Sequence, residues 1–170
     1  MCIRDRSKEI SVIIGCPARE DGYIFNSALF FQKGKLIEKY KKQILPNYKE
    51  FDEKRYFKRG ESHKVIEDKG FKFGISICED IWDKDFAKEL FGRDIDLLLN
   101  LSASPKTIDK KNLREKMLCE YFAEFKKPIV YVNQVGGQDE LVFDGSSLII
   151  DSKDSVRRLK SFEIDETIIE

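Results

Sequence analysis

Cys78 is the residue of this 170-residue chain whose type and position most favour covalent chemistry. It follows residues 71–77, in which large apolar side chains alternate with small or polar ones, and two acidic residues come directly after it. The period of two predicts a strand, and the acids suit the first turn of a following helix. We expect Gly74 and Ser76 to leave room beside the thiol for a ligand, and a thiolate there to be exposed and stabilised. A buried structural cysteine is the alternative that this stretch leaves open.

A nucleophilic thiol needs a nearby base or cation. The only histidine, His63, stands in a charged, loop-like segment, and we interpret it as solvated rather than catalytic. This argues against a cysteine-histidine protease, so lysines and glutamates must supply the acid-base chemistry. Lys42, next to a loop that contains Pro46, is the candidate cation. Its alternative interpretation is a solvated charge in a cluster with Lys39 and Lys41.

Composition narrows the class of protein. Lys plus Arg and Asp plus Glu both number 31, so the chain has no large basic field that would attract nucleic acid. No apolar run approaches the length that spans a bilayer. The cysteines are scattered without close pairs, which predicts neither a metal site nor a disulfide framework and favours a reducing cytoplasm. They are Cys2, Cys16, Cys78 and Cys119.

The order of predicted elements favours an α/β fold. Residues 10–16, closed by Gly15 and Pro17, predict a buried strand, whereas residues 41–57 predict a long ordered loop. Gly136 and Gly137 predict a turn, and residues 33–35 predict the turn of a β-hairpin. Further strands are predicted at 23–31, 36–40, 64–66, 71–77, 95–101, 129–132 and 147–150, and helices at 83–91 and 112–126, the latter with an apolar stripe of Leu113, Met117, Leu118, Tyr121, Phe122 and Phe125. Because strands and helices alternate after residue 71, we expect a largely parallel or mixed sheet.

Five segments match a known pattern in the same order along the chain. Together they resemble the carbon-nitrogen hydrolase, or nitrilase, superfamily, and more narrowly the glutaminase domains of glutamine-dependent NAD synthetases. The resemblance runs from about Ile10 to the end of the chain. It implies an αββα sandwich, two of which commonly pack sheet to sheet, and therefore a homo-oligomer. The segments are Lys42–Tyr48, Phe51–Phe57, Ile77–Trp82, Asn100–Pro105 and Tyr131–Gly145.

The same resemblance implies a Glu-Lys-Cys triad. Cys78 matches the nucleophile that attacks the side-chain amide of glutamine, and Lys42 matches the lysine that stabilises charge during the attack. Glu53 matches a supporting acid in the lysine loop, with Glu50 as its competitor. A cation near a thiol lowers the thiol pKa, and an ammonium group beside the developing oxyanion stabilises the tetrahedral state.

Three more positions match the glutamine pocket of the family. They are Tyr48, Trp82 and Ser102. For Tyr48 and Trp82 the alternative is plain core packing, and for Ser102 it is a cap at the end of a strand.

Two features depart from the family pattern. The triad glutamate normally stands in a strand ahead of the segment that matches residues 10–16, and we find no residue here to nominate for it. Nothing in the chain resembles an ATP-handling domain either. We therefore expect residues 1–8 to be a non-native leader and residues 9–170 a partial, inactive glutaminase domain without its N-terminal strand and helix. This domain needs no cofactor, whereas ATP and magnesium would act in a separate synthetase domain.

The resemblance implies that glutamine is hydrolysed to supply ammonia for the ATP-dependent amidation of deamido-NAD to NAD. The implied partners are glutamine as substrate and the synthetase domain, without nucleic acid or membrane. Two alternatives stay open. One is a stand-alone amidase or nitrilase of the same superfamily, and the other is a non-catalytic assembly module that keeps the fold.

Overall fold

The computed structural model describes residues 7–152 and 155–168. The helices are α1 (Glu53–Tyr56), α2 (Lys84–Phe91) and α3 (Lys110–Phe125), and Cys78–Trp82 forms a short 3-10 helix. The strands are β1 (Val12–Glu20), β2 (Tyr23–Gln32), β3 (Lys35–Lys41), β4 (Lys64–Asp68), β5 (Phe71–Ile77), β6 (Leu97–Ser102), β7 (Ile129–Asn133), β8 (Val135–Gln138), β9 (Leu141–Asp144), β10 (Leu148–Ser152) and β11 (Ser155–Arg158).

A six-stranded mixed sheet forms the centre of the fold, with the strand order β11-β10-β7-β6-β5-β4. β5, β6 and β7 run parallel, and the pairs at either side are antiparallel. The predicted mixed α/β class is therefore confirmed. Because parallel strands end at the same edge of a sheet, the ends of β5 and β6 bring Cys78 and Ser102 to one side of the molecule.

A three-stranded antiparallel sheet, β1-β2-β3, contacts the central sheet through β2 and β5. The predicted hairpin of β2 and β3 is confirmed, and Lys33 and Gly34 at its turn both adopt positive φ. Ala28, Phe30 and Tyr40 belong to the same buried cluster as the apolar residues of β5 and β6. The two sheets therefore share one core.

β1 corrects the prediction of a short buried strand. It runs through Gly15 and Pro17 to Glu20, and the chain turns at Asp21 and Gly22 instead. Most of its residues are half-buried or exposed. Among the described strands β1 pairs only with β2, so it lies at an edge, where a proline that lacks an N–H is tolerated.

One other local prediction is wrong. Gly136 and Gly137 lie within β8, which pairs with β9, and the turn falls on Asp139, which adopts the left-handed conformation that aspartate tolerates. In α3 five of the six residues of the predicted apolar stripe are buried or pack against the core, and only Leu113 departs from the prediction. Leu113 is 54% exposed, whereas Arg114 is buried together with Leu118 and Tyr121. Helical spacing thus predicts the helix correctly but not which charged residue faces the core.

Candidate active site

Cys78 begins the 3-10 helix directly after β5, as the sequence predicts. Its φ of 47° lies in the left-handed region, an unfavourable conformation for a residue with a side chain. Non-glycine residues in this region often mark functional turns, because the surrounding structure must hold them there. The turn therefore presents the thiol in a fixed direction.

The predicted space beside Cys78 is filled by protein. A Cβ atom added to Gly74 would lie 3.0 Å from Cδ1 of Ile95 and 3.2 Å from Cδ1 of Leu90, so this glycine allows α2 and the segment before β6 to pack closely. The Ser76 hydroxyl accepts a hydrogen bond from Nδ2 of Asn100 at 2.8 Å. The expectation that small residues here leave room for a ligand is therefore wrong.

The Cys78 thiol is buried, because the residue is only 8% exposed. Burial raises the pKa of Cys78, since it penalises the thiolate, and the positive charges of Lys42 and Lys110 oppose this rise. The negative charges of Glu79 and Glu53 add to it. The expected exposed thiolate is thus replaced by a buried thiol whose ionisation depends on neighbouring charges.

Lys42 is a buried cation, and the alternative of a solvated charge is wrong. Its side chain is 1% exposed, and its Nζ donates a hydrogen bond to Oε1 of Glu53 at 2.6 Å. Glu50, the competing acid in the sequence, is exposed. A buried ammonium group is costly without a partner, and the ion pair with Glu53 offsets part of that cost.

The backbone of Lys42 is held from two sides. Its N–H donates to the carbonyl of Asn26 in β2 at 2.8 Å, and its carbonyl accepts from the N–H of Gly60 at 2.8 Å. Gly60 packs against the backbone of Lys41 so closely that no Cβ atom would fit. Long-range backbone contacts therefore place Lys42.

Asp80, which the sequence marks only as an acid after the strand, is completely buried. Its carboxylate accepts hydrogen bonds from the Tyr40 hydroxyl at 2.6 Å and from three backbone N–H groups. Burial raises the pKa of Asp80 to about 6, and these hydrogen bonds limit the rise. The carboxylate thus joins the turn of Cys78 to a distant part of the chain.

Tyr48 and Trp82 differ in their surroundings. Tyr48 is 47% exposed, and its hydroxyl donates to Oε1 of Glu79 at 2.6 Å, so core packing does not explain it. Burial of the hydroxyl together with this bond to Glu79 raises the pKa of Tyr48. Trp82 is half-buried against the core, with Nζ of Lys110 5.9 Å from its ring centroid. Charges of both signs, Glu79 and Lys110, therefore lie near Cys78.

Ser102 ends β6, and its hydroxyl donates to Oδ1 of Asn100 at 2.6 Å. Because Asn100 in turn donates to Ser76, one chain of hydrogen bonds runs from β6 to β5. The structure therefore brings Ser102 to the same edge of the sheet as Cys78. The Ser102 hydroxyl, however, bonds to a residue of its own strand.

His63 corrects the expectation of a solvated side chain. It is nearly buried, its ring lies 4.5 Å from that of Phe86, and its Nδ1 is 3.6 Å from Glu89 of α2. Burial lowers the pKa of His63, with Arg93 adding to the effect and Glu89 opposing it. His63 therefore packs against α2.

The family follows from comparison with known proteins. The sequence profile described as carbon-nitrogen hydrolase matches residues 5–169. The chain belongs to the carbon-nitrogen hydrolase family. This confirms the resemblance found in the sequence segments.

Named relatives narrow the comparison. The chain is 44% identical over 144 residues to the glutamine-dependent NAD(+) synthetase of Acinetobacter baylyi, covering 84% of this chain and 27% of that protein. The corresponding enzyme of Thermotoga maritima is 40% identical over 154 residues, covering 89% of this chain and 26% of the enzyme. The chain therefore spans about a quarter of the length of these relatives.

Solved structures agree with this placement. A glutamine-dependent NAD+ synthetase from Acinetobacter baumannii in complex with ADP superposes with a TM-score of 0.88 at 39% identity, covering 95% of this chain and 32% of that chain. A carbon-nitrogen hydrolase from Helicobacter pylori reaches 0.86 at 21% identity, covering 95% and 63% respectively. The fold is therefore that of the nitrilase superfamily.

Two buried residues of this carbon-nitrogen hydrolase escaped the sequence analysis. Arg114 and Asp144 lie 3.6 Å apart, and Cζ of Arg114 lies 5.2 Å from the ring centroid of Tyr131. Burial raises the pKa of Tyr131, and the charge of Cys78 contributes. A basic residue in a charged helix resembles a surface residue in sequence, so only its packing reveals this group behind the thiol.

The described part of the chain contains free thiols but no cluster of metal-binding side chains. There, Cys16, Cys78 and Cys119 are free thiols, while Cys2 lies outside the described residues. Within residues 7–152 and 155–168 no cluster of three or more His, Cys, Asp or Glu side chains could hold a metal ion. None of the helices in this part of the chain is long and apolar enough to span a membrane.

Proposed function

We propose that this chain is the glutaminase part of a glutamine-dependent NAD synthetase. The observation that carries the proposal is the buried ion pair of Lys42 and Glu53, whose ammonium charge acts on the buried Cys78 thiol. The relatives at 40% and 44% identity bear that enzyme name, which supports this function over a stand-alone amidase. In the longer enzyme, ammonia from glutamine would amidate deamido-NAD at an ATP- and magnesium-dependent synthetase domain.

The reaction begins with attack of the Cys78 thiolate on the side-chain carbonyl carbon of glutamine. The carbonyl π electrons move to oxygen, and the Lys42 ammonium stabilises the resulting oxyanion. When the tetrahedral state collapses, the C–N bond breaks, and the nitrogen takes the proton released by the thiol and departs as ammonia. Water then cleaves the γ-glutamyl thioester, which yields glutamate and restores the thiol.

Charges beside the thiol favour an amino acid over an uncharged amide. The Glu79 carboxylate, held by the Tyr48 hydroxyl, suits the α-ammonium group of glutamine, and Lys110 suits its α-carboxylate. Trp82 and Ser102 complete the proposed pocket. A small nitrile or simple amide would leave both charges unused, so this pair of opposite charges supports glutamine as substrate.

We also propose that the protein is cytoplasmic and assembles as a homo-oligomer. Free thiols at Cys16, Cys78 and Cys119 are compatible with a reducing compartment. Exposed apolar side chains on β1 and β3 would be covered by sheet-to-sheet packing, which supports assembly. They are Ile14, Leu36 and Ile37.

Covalent labelling tests the proposed glutamine site. We expect an electrophilic glutamine analogue to add one label at Cys78, because the charge of the buried Lys42 ammonium group acts on this thiol. Free glutamine should suppress the label, and Cys78→Ala should abolish it, while the matched control Cys119→Ala keeps it. Intact-mass measurement and peptide mapping read the result. Equal labelling of several cysteines, or no protection by glutamine, would contradict the proposal.

The same variant in the longer enzyme separates catalysis from assembly. Cys78→Ala should abolish NAD synthesis from glutamine but leave synthesis from added ammonia unchanged, as measured by NAD formation with each nitrogen source. An assembly module predicts no loss with either source. Loss with both sources would mean that Cys78 serves the structure of the enzyme.

A further inference from the structure

The Asp80 carboxylate lies between the two segments that carry the proposed catalytic groups. Its Oδ1 accepts hydrogen bonds from the backbone N–H of Gln43 at 3.0 Å and from that of Ile44 at 2.8 Å. These two residues directly follow Lys42, so this oxygen fixes the start of the loop that carries the lysine.

The other carboxylate oxygen holds the segment that carries the thiol. Oδ2 of Asp80 accepts from the backbone N–H of Ile77, the last residue of β5, at 2.9 Å. It also accepts from the Tyr40 hydroxyl, at the end of β3, at 2.6 Å. One buried carboxylate is thus hydrogen-bonded to both segments, which are more than 30 residues apart in sequence.

Helix capping accounts for only one of the four bonds, in which Ile77, the N-cap residue of the 3-10 helix, donates its N–H to Asp80. The side chain that caps α2 belongs to Asp83, which accepts from the Phe86 N–H at 2.8 Å. Three of the four bonds to Asp80 come from residues near Lys42 rather than from its own turn. Burying a carboxylate is costly, so these bonds must compensate for its desolvation.

We propose that Asp80 is a positioning residue that sets the separation between the Lys42 ammonium and the Cys78 thiol by joining their backbone segments. The inference rests on the proposed function of Cys78 and Lys42. Asp80 acts through the backbone, and the thiol keeps its reactivity only while Lys42 stays at its side. Loosening the connection would weaken the electrostatic stabilisation of the thiolate.

Asp80→Asn changes this connection with little change of shape. An amide retains one acceptor oxygen, so it can still serve the N–H groups of Gln43 and Ile44. Its NH₂ group then faces the N–H of Ile77, and two donors cannot bond to each other. The substitution should therefore release the Cys78 side of the connection while keeping the side chain in place. Asp83→Asn makes the same chemical change three residues later and serves as the matched control.

The test measures the rate of alkylation of Cys78 by iodoacetamide from pH 6 to 10, followed on the Cys78 peptide by mass spectrometry. We expect Asp80→Asn to shift the midpoint of the rate-against-pH profile to higher pH by about one unit. At neutral pH the alkylation would then be about tenfold slower. Asp83→Asn should match the unsubstituted protein. An unchanged profile for Asp80→Asn, with only a lower melting temperature, would overturn the inference and leave Asp80 a purely structural residue.

A second variant covers the case in which Asp80→Asn does not fold. Tyr40→Phe removes one hydrogen bond to Oδ2 and leaves the aromatic ring in the core, so a shift in the same direction of about twofold to threefold in rate is expected. No shift would overturn the inference. This test of Asp80 can fail independently of the proposed function, because the iodoacetamide profile needs no glutamine. Failure of glutamine to protect Cys78 would count against the proposed function alone.

Discussion

Lys42→Met is expected to lower glutamine hydrolysis by about a thousandfold. The methionine side chain fills similar space but removes the ammonium group proposed to stabilise the oxyanion, and loss of one such donor typically costs a factor of about a hundred to a thousand. Loss of the same charge also raises the pKa of Cys78 further and reduces the thiolate population. Glutamate release by the purified longer enzyme measures the loss. NAD formation from added ammonia is measured in parallel, as the reaction that does not need glutamine hydrolysis.

The same variant should also be less stable, because Glu53 loses its partner. The Glu53 side chain is 17% exposed, and its second oxygen, Oε2, is buried without a hydrogen-bond partner in the described structure. Breaking a buried ion pair typically costs about 3 kcal/mol or more. Adding Glu53→Gln to Lys42→Met should recover part of the free energy of unfolding in urea but none of the activity. This difference separates the chemical role of Lys42 from its structural role.

Lys41→Met is the matched control for Lys42→Met. Lys41 pairs with Glu20 on the surface, where an ion pair typically contributes at most about 1 kcal/mol. We expect nearly unchanged glutamine hydrolysis. If Lys41→Met lost as much activity as Lys42→Met, a general charge effect rather than a specific ammonium group would account for both.

Gly60→Ala is expected to lower the free energy of unfolding by about 3 kcal/mol or more, which is the upper range for forced overpacking. A Cβ atom on residue 60 would lie 2.2 Å from the carbonyl oxygen of Lys41 and 2.8 Å from its carbonyl carbon. Backbone atoms cannot rotate away, so the segment of Lys41 and Lys42 must shift. The hydrogen bond from Gly60 N–H to Lys42 would weaken at the same time. Urea unfolding measures the loss, and we expect glutamine hydrolysis to fall with it.

Gly15→Ala is the matched control for Gly60→Ala. In β1, an added Cβ atom at residue 15 would approach only Leu101, at 4.0 Å, which is an ordinary contact. Alanine restricts the unfolded chain more than glycine does, so a change of at most about 1 kcal/mol is expected. A small effect at Gly60 as well would show that the Lys41 backbone yields easily and that Gly60 does not help to place Lys42.

Local sequence patterns predicted those elements of this protein whose formation depends on near neighbours. The alternation before Cys78 predicted β5 and the position of the thiol at its end, and Lys33 and Gly34 predicted the hairpin turn. The segment 83–91 predicted α2, and the structure adds that Asp83 is its cap. These patterns arise from side-chain periodicity and from the conformational preferences of single residues, which are readable without the fold.

Which polar residues are buried was decided by the tertiary structure. Lys42, His63 and Arg114 all stand in charged stretches that resemble solvated surface, and yet all three are packed inside the fold. Their partners are distant in sequence or indistinguishable from neighbours of the same charge, as the choice of Glu53 over Glu50 shows. Asp80 and Gly60 carry no periodic signal, because most of their contacts are to residues distant in sequence. The sequence by itself determined the family and the position of the Cys78 thiol at the end of β5, whereas long-range packing decided which charges surround that thiol, since burial depends on segments brought together only in the folded chain.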